Sequence, residues 1–133
     1  MFEWKSEYSV NVPSIDGQHQ NLFRMAAELR DAVMAGTSEA AVAKTMDRLV
    51  QYIQVHFAYE ERLMRVCDYP ELAAHLAEHE ALTRQVLRFQ RDLRVRPQPI
   101  AIRLLKLLKS WLENHILKSD RKYVPYLNER GVA

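Results

Sequence analysis

Five histidines, one glutamate and one aspartate carry the chemistry of this 133-residue chain. His56 precedes Glu60 by four residues, His75 precedes His79 by four, and Asp120 follows His115 by five; His19 stands alone near the start of the first helical stretch. The chain has no other histidine. Residues four apart share one face of a helix, where two side chains can grip one ion. Imidazole nitrogens mixed with carboxylates suit first-row transition metals. Seven such groups exceed the four ligands of a tetrahedral zinc site, so the pattern describes a centre for more than one ion.

The elements that must hold these residues are helices. Three glycines and five prolines are too few for a turn-rich β fold. Residues 1–16 lack helical periodicity and contain Pro13, which predicts an extended arm with Trp4 and Tyr8 as anchors. Beyond it, apolar residues recur at threes and fours, predicting helices at about 18–35, 38–66, 70–94 and 100–118. Ser38 suits the N-cap of the second, Pro70 the first position of the third, and Val95 to Pro99 the break before the fourth. A short final turn fits before Gly131. Long helices with short loops pack as antiparallel neighbours. The expectation is an all-α fold, a single-domain up-down-up-down four-helix bundle spanning residues 1–133.

The metal-binding groups fall on the apolar stripes. The second stripe runs Val42, Met46, Leu49, Ile53, His56, Glu60, Leu63; the third runs Leu72, His75, His79, Leu82, Val86, Phe89, Leu93. The fourth includes Leu104, Leu108, Trp111 and His115, and the first, extended back from Leu22, lands on His19. Each imidazole therefore stands where an apolar residue belongs. An unpaired buried polar group costs about 2–7 kcal/mol, so one shared explanation is better than five separate hydrogen-bonded cores. Alternating helix directions bring all four sets to the same end of the bundle. Asp120 breaks the pattern, because five residues advance an ideal helix by about 500° and leave it about 140° from His115. The fourth helix must end, bulge or kink at residues 117–121 for Asp120 to reach the centre.

Calcium and magnesium prefer oxygen, so two octahedral first-row ions, iron foremost, fit the donor set. If five imidazoles, two bridging carboxylates and one bridging oxo or hydroxo group fill two six-coordinate ions, one position stays open. A single opening favours a small diatomic molecule over a large substrate. Oxygenase-type di-iron bundles use Glu-x-x-His motifs, and no glutamate lies three residues before any histidine here.

The chain resembles the hemerythrins, in particular their single-domain bacterial branch, the bacteriohemerythrins. The resemblance lies in Ile15-Asp16-Gly17-Gln18-His19 with Leu22-Phe23, His56-Phe57-Ala58-Tyr59-Glu60-Glu61, Tyr69-Pro70 with His75 and His79, and Trp111-Leu112-Glu113-Asn114-His115-Ile116 with Asp120. It covers nearly the whole chain in order. It implies that His75, His79 and His115 hold one iron, His19 and His56 the other, with Glu60 and Asp120 bridging and O2 binding at the two-histidine iron. It also implies an O2 pocket of Trp111, Leu112 and Ile116, which plain core packing would equally explain. Asp68 stands where many relatives have glycine. The function implied is reversible O2 binding for carriage, storage or delivery, with no enzymatic role. The alternatives are an O2 or redox sensor acting through a partner, and a di-iron oxidase or a peroxide- or nitric-oxide-reducing enzyme.

The remaining features bound the setting. Net charge is +2, hydrophobic residues make up 48% and charged residues 27%, as in ordinary globular proteins. No run is apolar and long enough for a membrane span, no signal peptide is legible, and the lone Cys67 fits a reducing compartment, so the expected location is cytoplasmic. Arg84, Arg88, Arg91, Arg94, Arg96, Arg103, Lys106 and Lys109 form a basic junction without interleaved aromatic residues. That reads as solvated helix faces, not a nucleic-acid surface, although an anionic partner surface has room to dock there; the partners expected are O2 and a protein recipient of it. Gln18 reads either as a hydrogen-bond donor beside His19 or as a solvated glutamine at the helix start, and Tyr123 and Tyr126 read as packing.

Overall fold

The computed structural model describes residues 2–93 and 97–131. A short 3-10 turn (Ser6–Tyr8) precedes α1 (Pro13–Met34), α2 (Glu39–Val66), α3 (Leu72–Leu93) and α4 (Pro97–Asn114). A π-helical turn (His115–Asp120) then leads into α5 (Arg121–Glu129). The fold is an all-α bundle in which α1 and α3 each pack against both α2 and α4. Cross-helix pairs give the directions. Gln18 meets His56 while Asn21 meets Tyr52, and Glu61 meets His79 while Asp47 meets Gln90. His79 lies beside Trp111 while His75 lies beside His115. Each later residue on one helix pairs with an earlier one on the next, so neighbours run antiparallel.

Each helix begins and ends for local reasons. Ser38 caps α2, its side chain accepting from the Ala41 N–H at 3.2 Å. Gly36 takes φ 67°, the left-handed conformation that terminates α1 at little steric cost. Asp68 also lies in the left-handed region, at φ 54°, which aspartate tolerates better than most residues. The loop before Tyr69 thus keeps a glycine-like backbone without the glycine.

Several expected boundaries shift. The first helix starts at Pro13 instead of about 18, because proline needs no N–H at a first turn and its φ is already helical. The arm shortens accordingly and is not wholly extended, since Ser6–Tyr8 form a turn. Ser9 Oγ and the Val10 N–H both donate to the Asp16 carboxylate, at 2.6 and 2.8 Å, tying the arm to α1. Trp4 and Tyr8 anchor it against Phe23, with ring centroids 5.2–5.7 Å apart. Pro70 lies in a turn two residues before α3 rather than opening it. Helix α4 begins at Pro97, so Pro97 and Pro99 belong to its first turn, where the missing N–H groups would have no partner. The expected break at Val95 falls outside the described residues, as do Arg94 and Arg96.

The core follows the stripes. Leu22, Ala26, Leu29, Met46, Leu49, Leu82, Val86, Leu104 and Leu108 are buried. Full burial of a leucine-sized side chain contributes about 1.5–3 kcal/mol, so this seam fixes how the helices face one another. Leu63, on the expected stripe, is only half-buried, and its neighbour Met64 is sealed instead. No described helix is long and apolar enough to cross a membrane. Arg84, Arg88, Arg91, Arg103, Lys106 and Lys109 are exposed on outer faces.

Candidate metal centre

Among the described residues, the buried polar or charged side chains are His19, His56, Glu60, His75, His79, His115 and Asp120. All seven anticipated positions are thus sealed from solvent at one end of an otherwise apolar core. The π turn explains how Asp120 joins them. A π helix takes in an extra residue per turn, so the five-residue step from His115 no longer carries Asp120 to the opposite face. The irregularity begins at His115, two residues earlier than expected.

The donor atoms converge. His75 and His115 place Nε2 at 3.1 and 2.9 Å from Asp120 Oδ1, and His19 Nε2 lies 3.2 Å from Asp120 Oδ2. Glu60 Oε1 lies 3.2 Å from His56 Nε2 and 3.4 Å from His79 Nε2, while its Oε2 is 3.6 Å from His19 Nε2. Two groupings able to hold an ion emerge: Glu60, His75, His79, His115 and Asp120, and separately His19, His56 and Glu60. Glu60 belongs to both. Asp120 belongs to the first and touches the second through His19.

These atoms are close without satisfying one another. His19 Nε2, His75 Nε2, Glu60 Oε1 and both Asp120 oxygens are buried with no hydrogen-bond partner. Each unmade bond costs about 1–3 kcal/mol, an arrangement that makes sense if cations complete it. The charges agree. Burial pushes the Glu60 carboxyl up, but His56, His19 and His79 hold it well below its ordinary value. Burial and the Glu60 charge push Asp120 up, yet His115 and His19 hold it down as well. Burial opposes a proton on His19, but Asp120 and Glu60 outweigh it and raise its pKa to about 10. Two anions already demand positive charge in this space.

Groups behind the imidazoles orient them. His56 Nδ1 donates to Gln18 Oε1 at 2.7 Å, so Gln18 is an acceptor, not the donor expected. His79 Nδ1 donates to Glu61 Oε2 at 2.9 Å, and His115 Nδ1 lies 3.4 Å from Glu78 Oε2. A proton held on Nδ1 leaves the Nε2 lone pair facing the centre. Phe57 stacks on His79 with centroids 3.8 Å apart, and Trp111 on His115 at 4.0 Å. Tyr123, which the sequence assigns to packing, donates its hydroxyl to Glu60 Oε2 at 2.6 Å. Its place three residues after Asp120, on the same helical face, was the available signal. Nothing in the sequence distinguished Glu61 or Glu78 from surface acids.

Below the centre lies a small cavity lined wholly by apolar side chains, among them Leu22, Phe57, Leu82, Trp111 and Leu112. Ile116 is buried in the π turn but is not among its lining residues. Cys67 is buried, its Sγ 3.5 Å from the Met64 carbonyl, and burial raises its pKa, which suits an inert thiol.

Residues 10–127 match the family model described as the hemerythrin HHE cation binding domain. The chain belongs to the hemerythrin family. It is 32% identical over 123 residues to a bacteriohemerythrin of Methylococcus capsulatus, covering 92% of this chain and 93% of that one. A bacteriohemerythrin of Pseudomonas aeruginosa is 36% identical over 125 residues, with 91% and 78% covered. A myohemerythrin of Theromyzon tessulatum is 29% identical, with 92% and 90% covered. The crystal structure of a wild-type hemerythrin superposes with a TM-score of 0.85 at 32% identity, covering 94% of this chain and 96% of that one. A cation-binding hemerythrin domain fits the orphaned donors of the buried cluster.

Proposed function

We propose that this hemerythrin-family chain holds two iron ions and binds O2 reversibly, for carriage, storage or delivery. In this reading His75, His79 and His115 would hold one iron and His19 and His56 the other, with Glu60 and Asp120 available to both. The supporting observation is the division of the donors into three- and two-imidazole groupings that share Glu60. Bound iron would supply the reversible electron donation that O2 binding requires.

The protein's part is to orient and to exclude. Gln18 and Glu61 hold His56 and His79 with Nε2 facing inward. Phe57, Trp111 and Leu112 form an apolar wall beside them, and Ile116 is buried within the π turn. A dry wall hinders water from displacing a bound guest. Names of relatives such as bacteriohemerythrin and myohemerythrin support the same reading. A cytoplasmic setting fits the lone reduced Cys67.

The test is anaerobic reduction followed by exposure to O2, with iron assay and optical spectra. Two irons per chain and an oxygenated band that vanishes on deoxygenation are expected. Zinc occupancy, or irreversible oxidation with peroxide turnover, overturns the proposal and moves the chain toward the enzymatic alternative.

A further inference from the structure

The seven buried donors are at most 5% exposed, so an ion that reaches them must cross a layer of side chains. A surface pocket of about 140 Å³ lies between the start of α3 and the π turn, lined by Tyr69, Glu71, His75, Glu78, Ser119 and Lys122. His75 is one of the seven, and its Nε2, without a hydrogen-bond partner, lies 3.1 Å from Asp120 Oδ1. Two exposed carboxylates in this lining are held by hydroxyls: Glu71 Oε2 accepts from Tyr69 at 3.4 Å, and Glu78 Oε1 from Ser119 at 2.9 Å. Glu78 also reaches inward, with Oε2 3.4 Å from His115 Nδ1. A second groove, of about 310 Å³ between α2 and α3, touches His79. There Phe57 lies flat on the imidazole at 3.8 Å, and Glu61 already accepts from its Nδ1 at 2.9 Å. The first pocket has no such cover, since the Tyr69 ring meets His75 edge-on at 6.5 Å.

We infer that this pocket is the loading site of the centre, where Glu71 and Glu78 capture a divalent cation from solvent and His75 receives it. The inference rests on the two-iron reading above, which supplies the destination. A cleft lined by one sign of charge raises the local concentration of the opposite ion. Divalent cations give up hydration water reluctantly, and carboxylate oxygens replace it stepwise. At about 30 Å³ per water, the pocket has room for an ion that still keeps several of its waters. Glu78 spans the remaining gap, because it lines the pocket and stands behind His115 at once. Lys122 opposes capture, so the pocket holds a cation weakly and passes it on.

The test mixes the metal-free full chain with ferrous iron under argon, quenches with a chelator at timed intervals, and counts protein-bound iron. Wild type should reach two irons per chain. Glu71→Lys, which reverses a charge in the lining, should slow uptake by about 10-fold and still reach two irons. Lys122→Glu should speed uptake, and high salt should shrink both differences. Ala74 is exposed and also lines the pocket, so Ala74→Trp should obstruct it and slow uptake at every salt concentration. Should Ala74→Trp fail to fold, the opposite shifts of the two charge variants still decide. Two irons taken up at the wild-type rate by Glu71→Lys and Lys122→Glu overturn the loading site alone. Slowing by Glu80→Lys in the α2–α3 groove, with Glu71→Lys unaffected, moves entry there and overturns it too. A lower final iron count in Glu71→Lys makes Glu71 part of the centre and has the same effect. A wild-type chain that takes up no iron overturns the site reading and the loading site with it.

Discussion

Gln18 Oε1 accepts a hydrogen bond from His56 Nδ1 at 2.7 Å, joining α1 to α2 directly behind the two-imidazole half of the centre. That bond selects the His56 tautomer whose Nε2 is free to bind. On the proposed two-iron reading, Gln18→Leu should weaken the ion that His19 and His56 would hold by about 10–100-fold and leave the other in place. Gln18→Glu, which can still accept, should restore much of the loss. Stepwise iron titration reads both, and equal tight binding of two irons by Gln18→Leu would refute the role.

The π turn makes its own prediction. Removing the exposed Lys118 shortens the His115-to-Asp120 step to four residues, about 400° of ideal helix, which leaves the carboxylate about 40° from His115. The deletion should regularise the helix and retain both ions. Inserting an alanine after Lys118 should swing Asp120 away and abolish binding at full helicity. Metal analysis beside circular dichroism checks the pair; a folded deletion variant without metal would show that the π turn itself is required.

In the metal-free protein, the His19 pKa rises from 6.5 to about 10. A raised histidine value means that the folded state binds the proton more tightly than the unfolded state does. Its stabilisation is therefore complete below pH 6.5 and disappears as pH climbs through about 10. Denaturation of apo wild type and apo His19→Gln should differ most at pH 6 and converge near pH 10. A constant difference would exclude the coupling. Metal uptake must also displace that proton, so apparent affinity should increase with pH.

Leu112 is buried and lines the apolar cavity beside Phe57 and Trp111. Leu112→Ala should cost about 2–5 kcal/mol in stability and admit water to the cavity. If the centre binds O2 as proposed, faster autoxidation of the oxygenated protein is the expected consequence. Denaturant melts and the decay of the oxygenated spectrum measure the two effects separately, and an unchanged decay rate would remove Leu112 from the wall.

Much of this centre was legible because both codes involved are local. The period of 3.6 placed His56, His75, His79 and His115 on apolar stripes, and antiparallel packing brought them to one end. Helix starts were less legible. Pro13 and Pro97 read as breaks, yet each sits in a first turn that has no use for the missing N–H.

Residue type and spacing alone determined a helical bundle, a centre of five imidazoles and two carboxylates, and the need for a distortion before Asp120. Only the tertiary structure decided which groups stand behind the ligands. Gln18, Glu61 and Tyr123 reach His56, His79 and Glu60 from other helices, across contacts that no sequence period encodes. The tertiary structure also showed the distortion to be a π turn, whose extra residue per turn brings Asp120 among the imidazoles of His19, His75 and His115.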